Sequence, residues 1–163
     1  MKYDSTIVVD PVDLTAVKAY LSLNLTVSSE DALLTSLVTQ SRGILDEWLP
    51  FWTAMSTIYC IANATSDTIV LKGPVSEVLE VCVFVDGEWV DITEDCTQYL
   101  DSVTIPGDVH GRVKFVYSTD GFCPAPVQTA ILMMVRTLYL DRNADPMTDA
   151  VMRIITPYLE VNV

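Results

Sequence analysis

The sequence predicts an α+β fold: a helical bundle with a small antiparallel β-sheet inserted in it, a C-terminal helix and an extended tail. Three observations carry that prediction. Apolar residues recur at three- and four-residue intervals before residue 50 and again after residue 126, the period of buried helix faces. Between them, residues 55–117 turn to β-branched and aromatic runs cut by glycine and proline turns. The length of 163 residues, half of them hydrophobic and only 19% charged, suits one ordinary core rather than two, so a single domain over 1–163 is expected.

Thr6 to Val9 reads as a short strand ended by Asp10-Pro11. Asp13 is placed to cap a helix over about 13–22, with Leu14, Val17, Tyr20 and Leu21 on one face. Ser28-Ser29-Glu30-Asp31 offers a serine cap and two first-turn acids to a longer helix over about 29–49. Leu33, Leu37, Ile44 and Trp48 form one row of its stripe and Leu34, Val38, Leu45 and Leu49 the next, until Pro50 stops it. Gly43 inside that helix reads as a close packing point. The β-region holds Ser56–Ile61, Thr68–Leu71, Glu80–Val85 and Arg112–Tyr117 as strands. Asp86-Gly87 supplies a hairpin turn into Glu88-Trp89-Val90, Lys72-Gly73-Pro74 ends one strand, and Pro106-Gly107 precedes the last. Pro124-Ala125-Pro126 then launches a helix over about 127–141. Val127, Ala130, Ile131, Met134, Val135 and Leu138 make its broad apolar face, and Leu132, Met133 and Tyr139 widen that face beyond what one small domain buries. A last helix over about 146–155 precedes Thr156-Pro157 and an alternating tail over 158–163.

Charge narrows the function classes. Twenty-two acids against nine bases give a formal net charge of -13 and a pI near 4.1, in a chain whose mean hydropathy is +0.36. Affinity for phosphate backbones and anionic lipid rests on Lys and Arg, so DNA recognition and membrane attachment are both disfavoured. The longest apolar run in the third helix stops at Arg136, too short to span a bilayer. Between Lys72 and Arg112 there is no Lys or Arg at all, while acids from Glu77 to Asp108 crowd that stretch. The N-terminus lacks the order of a signal peptide, so a reducing cytoplasm is expected, with Cys60, Cys82, Cys96 and Cys123 as free buried thiols. Their long spacings and one histidine make a poor metal set. His110, between Val109 and Gly111 in a turn, is a poor catalytic base, and six scattered glycines supply no phosphate loop. Neighbouring carboxylates such as Asp46-Glu47 and Glu94-Asp95 read as solvated faces. No catalytic residue, cofactor or metal is expected.

Four pieces recur in one order: the short helix Val12–Leu21; the acid-capped helix Ser29–Val38; the segment Ile69–Val78 that introduces the sheet; and a strand, aromatic loop, proline and helix ending in Tyr-x-x-Arg. The last is Val113–Tyr117, Asp120-Gly121-Phe122, Pro126-Val127, then Ala130 through Tyr139-Leu140-Asp141-Arg142. In this order and spacing they resemble the head-tail connector, or head-completion adaptor, family of long-tailed bacteriophages over nearly the whole length. The acidic stretch Glu88 to Pro106 and the chain beyond Arg142 depart from the family pattern.

The resemblance implies a non-enzymatic structural virion protein. It would form a homo-oligomeric ring, a dodecamer by the family's habit, below the portal, joining the DNA-filled head to the tail and prolonging the DNA channel. Its partners would be copies of itself, the portal protein and a tail-side neck or tail terminator protein, with DNA passing unbound. It would be made in the host bacterial cytoplasm and reside at the head-tail interface of the virion. In that setting Leu132, Met133, Arg136, Tyr139 and Arg142 are expected at the subunit interface, where heterologous contacts close by rotation. Glu88, Asp91, Glu94, Asp95 and Asp101 are expected to line the channel. Tyr158, Leu159, Val161 and Val163 in the tail are expected to meet the portal, as an added strand. An alternative stays open: an acidic DNA mimic inhibiting a DNA-binding enzyme, which would spread carboxylates at phosphate-like spacing instead of clustering them in the β-region.

Overall fold

The computed structural model describes residues 2–64 and 67–159, and the chain divides into two compact units. One comprises residues 1–9 and 54–121, the other 10–53 and 122–163. The α+β class read from the sequence is the class observed.

The β-unit holds strands β1 (Lys2–Val9), β2 (Met55–Ala64), β3 (Thr68–Val70), β4 (Glu77–Val85), β5 (Glu88–Asp91), β6 (Thr97–Tyr99), β7 (Ser102–Thr104) and β8 (Gly111–Thr119). They form a five-stranded sheet in the order β1-β2-β8-β4-β5 and a three-stranded sheet in the order β3-β7-β6, antiparallel throughout. Strict alternation along β2 buries Ile58, Cys60 and Ala62 and leaves Tyr59 and Ile61 exposed, as a period of two requires. Val81, Val113, Phe115 and Tyr117 are buried with them, and Ile69 and Val103 from the smaller sheet. Hydrogen bonds join the two sheets at their ends. The Tyr117 hydroxyl donates to the Lys72 carbonyl at 3.0 Å, and the Val78 N–H to the Gln98 side chain at 3.0 Å.

Asp86 and Gly87 both have positive φ, the requirement of the tight hairpin read from the sequence, and Val85 pairs with Glu88 across it. Two β-elements exceed the expectation. The first strand runs over eight residues rather than four, because pairing with β2 from Lys2 to Val9 supplies backbone partners that its polar residues do not advertise. The hairpin β6–β7, in a stretch read only as an acidic loop, is stabilised by joining β3.

The α-unit contains α1 (Leu14–Tyr20), α2 (Asp31–Trp48), α3 (Ala125–Leu140) and α4 (Asp149–Leu159) around one apolar core. Asp13 caps α1, accepting the Ala16 N–H at 2.7 Å. The serine cap expected for α2 does not form. Backbone hydrogen bonding from the Asp31 N–H to the Ser28 carbonyl closes a turn before the helix, Glu30 stands at the cap position without a side-chain bond, and Asp31 pairs with Lys18 at 2.6 Å.

Of the two rows on α2, Leu34, Val38, Leu45 and Leu49 are buried, whereas Trp48 is 51% exposed. Gly43 is not a packing point: a Cβ there would meet nothing within 4 Å. α4 starts later than expected and carries Pro157 inside it, continuing through Tyr158 and Leu159 rather than giving way to an extended tail. The cause is packing, since Val151, Ile155, Tyr158 and Leu159 follow one helical face onto the core and outweigh the hydrogen bond that Pro157 cannot donate. Among the described residues no helix is long and apolar enough to cross a membrane.

Candidate functional site

α3 carries its widest apolar girth where the sequence places it. Val127, Ala130, Ile131, Met134, Val135 and Leu138 are buried. Leu132, Met133 and Tyr139 are half-buried against the same core, and the Tyr139 hydroxyl donates to Glu30 at 2.9 Å. That bond to a carboxylate holds the Tyr139 phenol above its ordinary pKa. Arg136 and Arg142 are exposed and without an ion pair among the described residues.

Arg136 stands in a shallow groove between α1 and α3, lined also by Tyr20, Met133, Thr137 and Leu140. The groove runs on past Leu21, Ser22 and Tyr139. Sequence reasoning missed two of its apolar walls, Tyr20 at 38% and Leu140 at 72% exposure. The sequence puts Tyr20 on one face with Leu14, Val17 and Leu21, but it is the last residue of α1, beyond the turn that Val17 anchors. Leu140 stands four residues after Arg136 on the same side, a spacing legible in the sequence.

The residues expected to line a channel divide by environment. Glu88, Glu94 and Asp95 are exposed, without ion pairs among the described residues. Asp91 is exposed and accepts from the Thr93 N–H at 2.9 Å and hydroxyl at 2.5 Å, which hold its carboxyl below the ordinary range. Asp101 is half-buried and accepts the Val75 N–H at 2.7 Å. Tyr158 and Leu159 are half-buried in α4, Tyr158 meeting the Phe51 ring edge-on at 6.4 Å. Val161 and Val163 lie outside the described residues.

Other side chains that read as chemistry are committed to structure. Asp46, far from a solvated face, is buried beside Arg42 at 2.5 Å and accepts from the Thr53 N–H and hydroxyl at 2.9 and 2.8 Å. Arg42 and Asp46 interrupt a buried apolar stretch at a spacing of four, the one sign of this network in the sequence. The cysteines are free thiols: Cys60 and Cys82 are buried, Cys96 and Cys123 partly so. Burial pushes the Cys60 and Cys82 thiols up to about 11 and Cys123 to about 12. His110 is exposed. Among the described residues no group of three or more His, Cys, Asp or Glu is placed to hold a metal.

On the five-stranded sheet, the Phe84 and Trp89 rings meet at a tilt of 60° across the β4–β5 pair with centroids 5.1 Å apart. Arg112 lies over both rings, at 5.5 and 5.8 Å, and Lys114 over Trp89 at 5.9 Å. Lys114 also pairs with Glu80 at 2.6 Å.

No family model and no curated protein matches the chain. Solved structures do. It is similar to a chain from the neck of an empty gene transfer agent (GTA) particle with C6 symmetry, at a TM-score of 0.75. It is similar to chains from the virion of the native GTA particle and from the neck of the native particle with C12 symmetry, at 0.72 and 0.71. Each is 17% identical, and the match covers 100% of this chain and 97% of the other. Along its whole length, therefore, this chain has the fold of a protein found in the neck of gene transfer agent particles.

Proposed function

We propose that the chain is a structural, non-enzymatic neck protein of a phage-like virion. It forms a homo-oligomeric ring, twelve-fold in the reading favoured here, below the portal, connects the DNA-filled head to the tail, and extends the DNA channel. One observation carries this: the fold matches chains of particle necks over 100% of its length, in necks computed with C6 and C12 symmetry. The test is deletion of the gene from its particle. DNA-filled heads without tails are the expected product, and normally tailed particles lacking the chain would overturn the reading.

Charge supports the conduit. The β-unit carries twelve acids and four bases, a net of -8 out of the total of -13. A wall that repels phosphate lets DNA slide, whereas a basic wall would hold it at every contact. Glu88, Asp91, Glu94 and Asp95 are assigned to that wall. Reversing Glu94→Lys and Asp95→Lys together should slow genome ejection with ring assembly intact, measured by DNA release over time, and unchanged ejection would remove the assignment. The portal contact is assigned to the C-terminal residues Tyr158, Leu159, Val161 and Val163. Deleting residues 160–163 should reduce binding to portal-bearing heads, with circular dichroism checking the fold, and undiminished binding would overturn the assignment.

A further inference from the structure

The turn of the β6–β7 hairpin is an unusual piece of surface. Tyr99 pairs with Ser102, so Leu100 and Asp101 form the tip. Tyr99 is 74% exposed and Leu100 73%, the two most exposed large apolar residues among those described. Leu100 also sits at φ +52, where a branched side chain crowds its own backbone and where glycine or asparagine is the ordinary occupant. A leucine here is thus unfavourable in two ways, through strain and through exposure. The tip is nonetheless firmly tied. The Ser102 hydroxyl donates to the Tyr99 carbonyl at 2.7 Å, the Gln98 amide to the Leu100 carbonyl at 3.2 Å, and the Leu71 N–H to the Asp101 carbonyl at 2.7 Å. The Asp101 carboxylate packs so closely on Gly73 that a Cβ there would fall 2.4 Å from it. Strain held in place by several bonds, with nothing among the described residues to cover the side chain, points to a partner.

The α1–α3 groove is the complementary feature. Tyr20, Met133 and Leu140 make an apolar trough with Arg136 at its side. α3 has one base and no acid over Ala125–Leu140, and the hairpin over Thr97–Thr104 has one acid and no base. Knob and groove belong to different units of one chain, and both are exposed in it.

We propose that the Tyr99-Leu100 knob of one copy seats in the Tyr20/Met133/Arg136/Leu140 groove of a second copy. The occupant is a second copy because the matching apolar knob and the opposite charge are both present on this chain. Knob and groove are different surfaces, so the contact is heterologous, the kind that repeats around a ring. This deepens the neck-ring reading and rests on it.

The experiment mixes variants of the full chain. Tyr99→Ser with Leu100→Ser removes the knob, and Leu140→Glu spoils the groove; all three positions are exposed, and circular dichroism checks that the fold is kept. In sedimentation at high concentration each variant alone should self-associate about ten- to hundred-fold more weakly than the parent, the weight of burying one leucine side chain. An equimolar mixture should recover a dimer, because one intact knob meets one intact groove, and should go no further. In parallel, Leu100→Cys on one chain and Leu140→Cys on a size-tagged second chain should yield a mixed dimer with a short bismaleimide, mapped to positions 100 and 140. Rings that form unchanged in either variant would overturn the contact and leave the neck reading standing. Absence of any 100–140 cross-link would also overturn it, whereas the neck reading falls only if particles lacking the chain still join heads to tails.

Discussion

Gly43, Gly121 and Asp46 show how much a single position depends on what surrounds it. Gly43 lies in the middle of α2 with open space where a Cβ would go, so it costs the helix backbone entropy with no compensating contact. Gly43→Ala should raise stability by about 0.5–1 kcal/mol, read by urea denaturation. Gly121 is the opposite case, with φ +73 and a virtual Cβ 2.5 Å from the Ala54 carbonyl carbon. Gly121→Ala should destabilise by about 2 kcal/mol or more, from strain and clash together. Asp46 holds Arg42 and Thr53 inside the α-unit, and Asp46→Ala would leave the buried guanidinium with only the more distant Asp10 carboxylate, 3.6 Å from its Nε. A loss of about 3–5 kcal/mol is expected in the same assay.

At the scale of elements, the outer face of β4 and β8 is held by Glu80, Cys82 and Lys114. The Cys82 thiol donates to Glu80 at 3.0 Å and Lys114 pairs with it, and these two hydrogen bonds hold the Glu80 carboxyl below its ordinary value of 4.5. A carboxyl depressed by folding stabilises above its unfolded pKa and loses that contribution as pH falls through the folded value. Acidification below pH 4.5 should therefore weaken the parent more than Glu80→Gln, compared in melts across pH. The difference should stay below about 1 kcal/mol because the pair is partly solvated. In α4, Tyr158 contributes to the fold through Phe51 and the core, so Tyr158→Ala should cost roughly 1–2 kcal/mol, read by urea denaturation.

For the whole molecule, the net charge of -13 and the high mean hydropathy belong together once a ring is considered. The apolar surplus is partly absorbed at home: Leu132, Met133 and Tyr139 pack on their own core, while Tyr20 and Leu140 stay exposed beside Arg136, as Tyr99 and Leu100 do on the β-unit. The β-unit carries -8 of the net -13, with twelve of the twenty-two acids, whereas α3 contains none. An assembly resting on apolar and charged contacts together should tolerate moderate salt. Genome ejection through an acidic wall should instead respond to cations that screen it, and ejection rates over a salt series measure this.

Local rules determined much of this protein from sequence alone. Asp13 capped α1, Asp86-Gly87 turned its hairpin, and the α2 row Leu34–Leu49 went inside. Those features depend on neighbours within a turn or a strand, and chain chemistry specifies them directly. What the tertiary structure decided depends on partners far away in sequence. β1 became long because β2 was there to pair with it; α4 ran past Pro157 because Phe51 and the core received its face. Asp46 became a buried anchor because Arg42 and Thr53 converged on it, and Leu100 became an exposed knob because Val75, Leu71 and Ser102 held its turn. Burial and long-range pairing are properties of the assembled chain, so a side chain's identity gave the kind of contact it would make, and only the fold chose the partner.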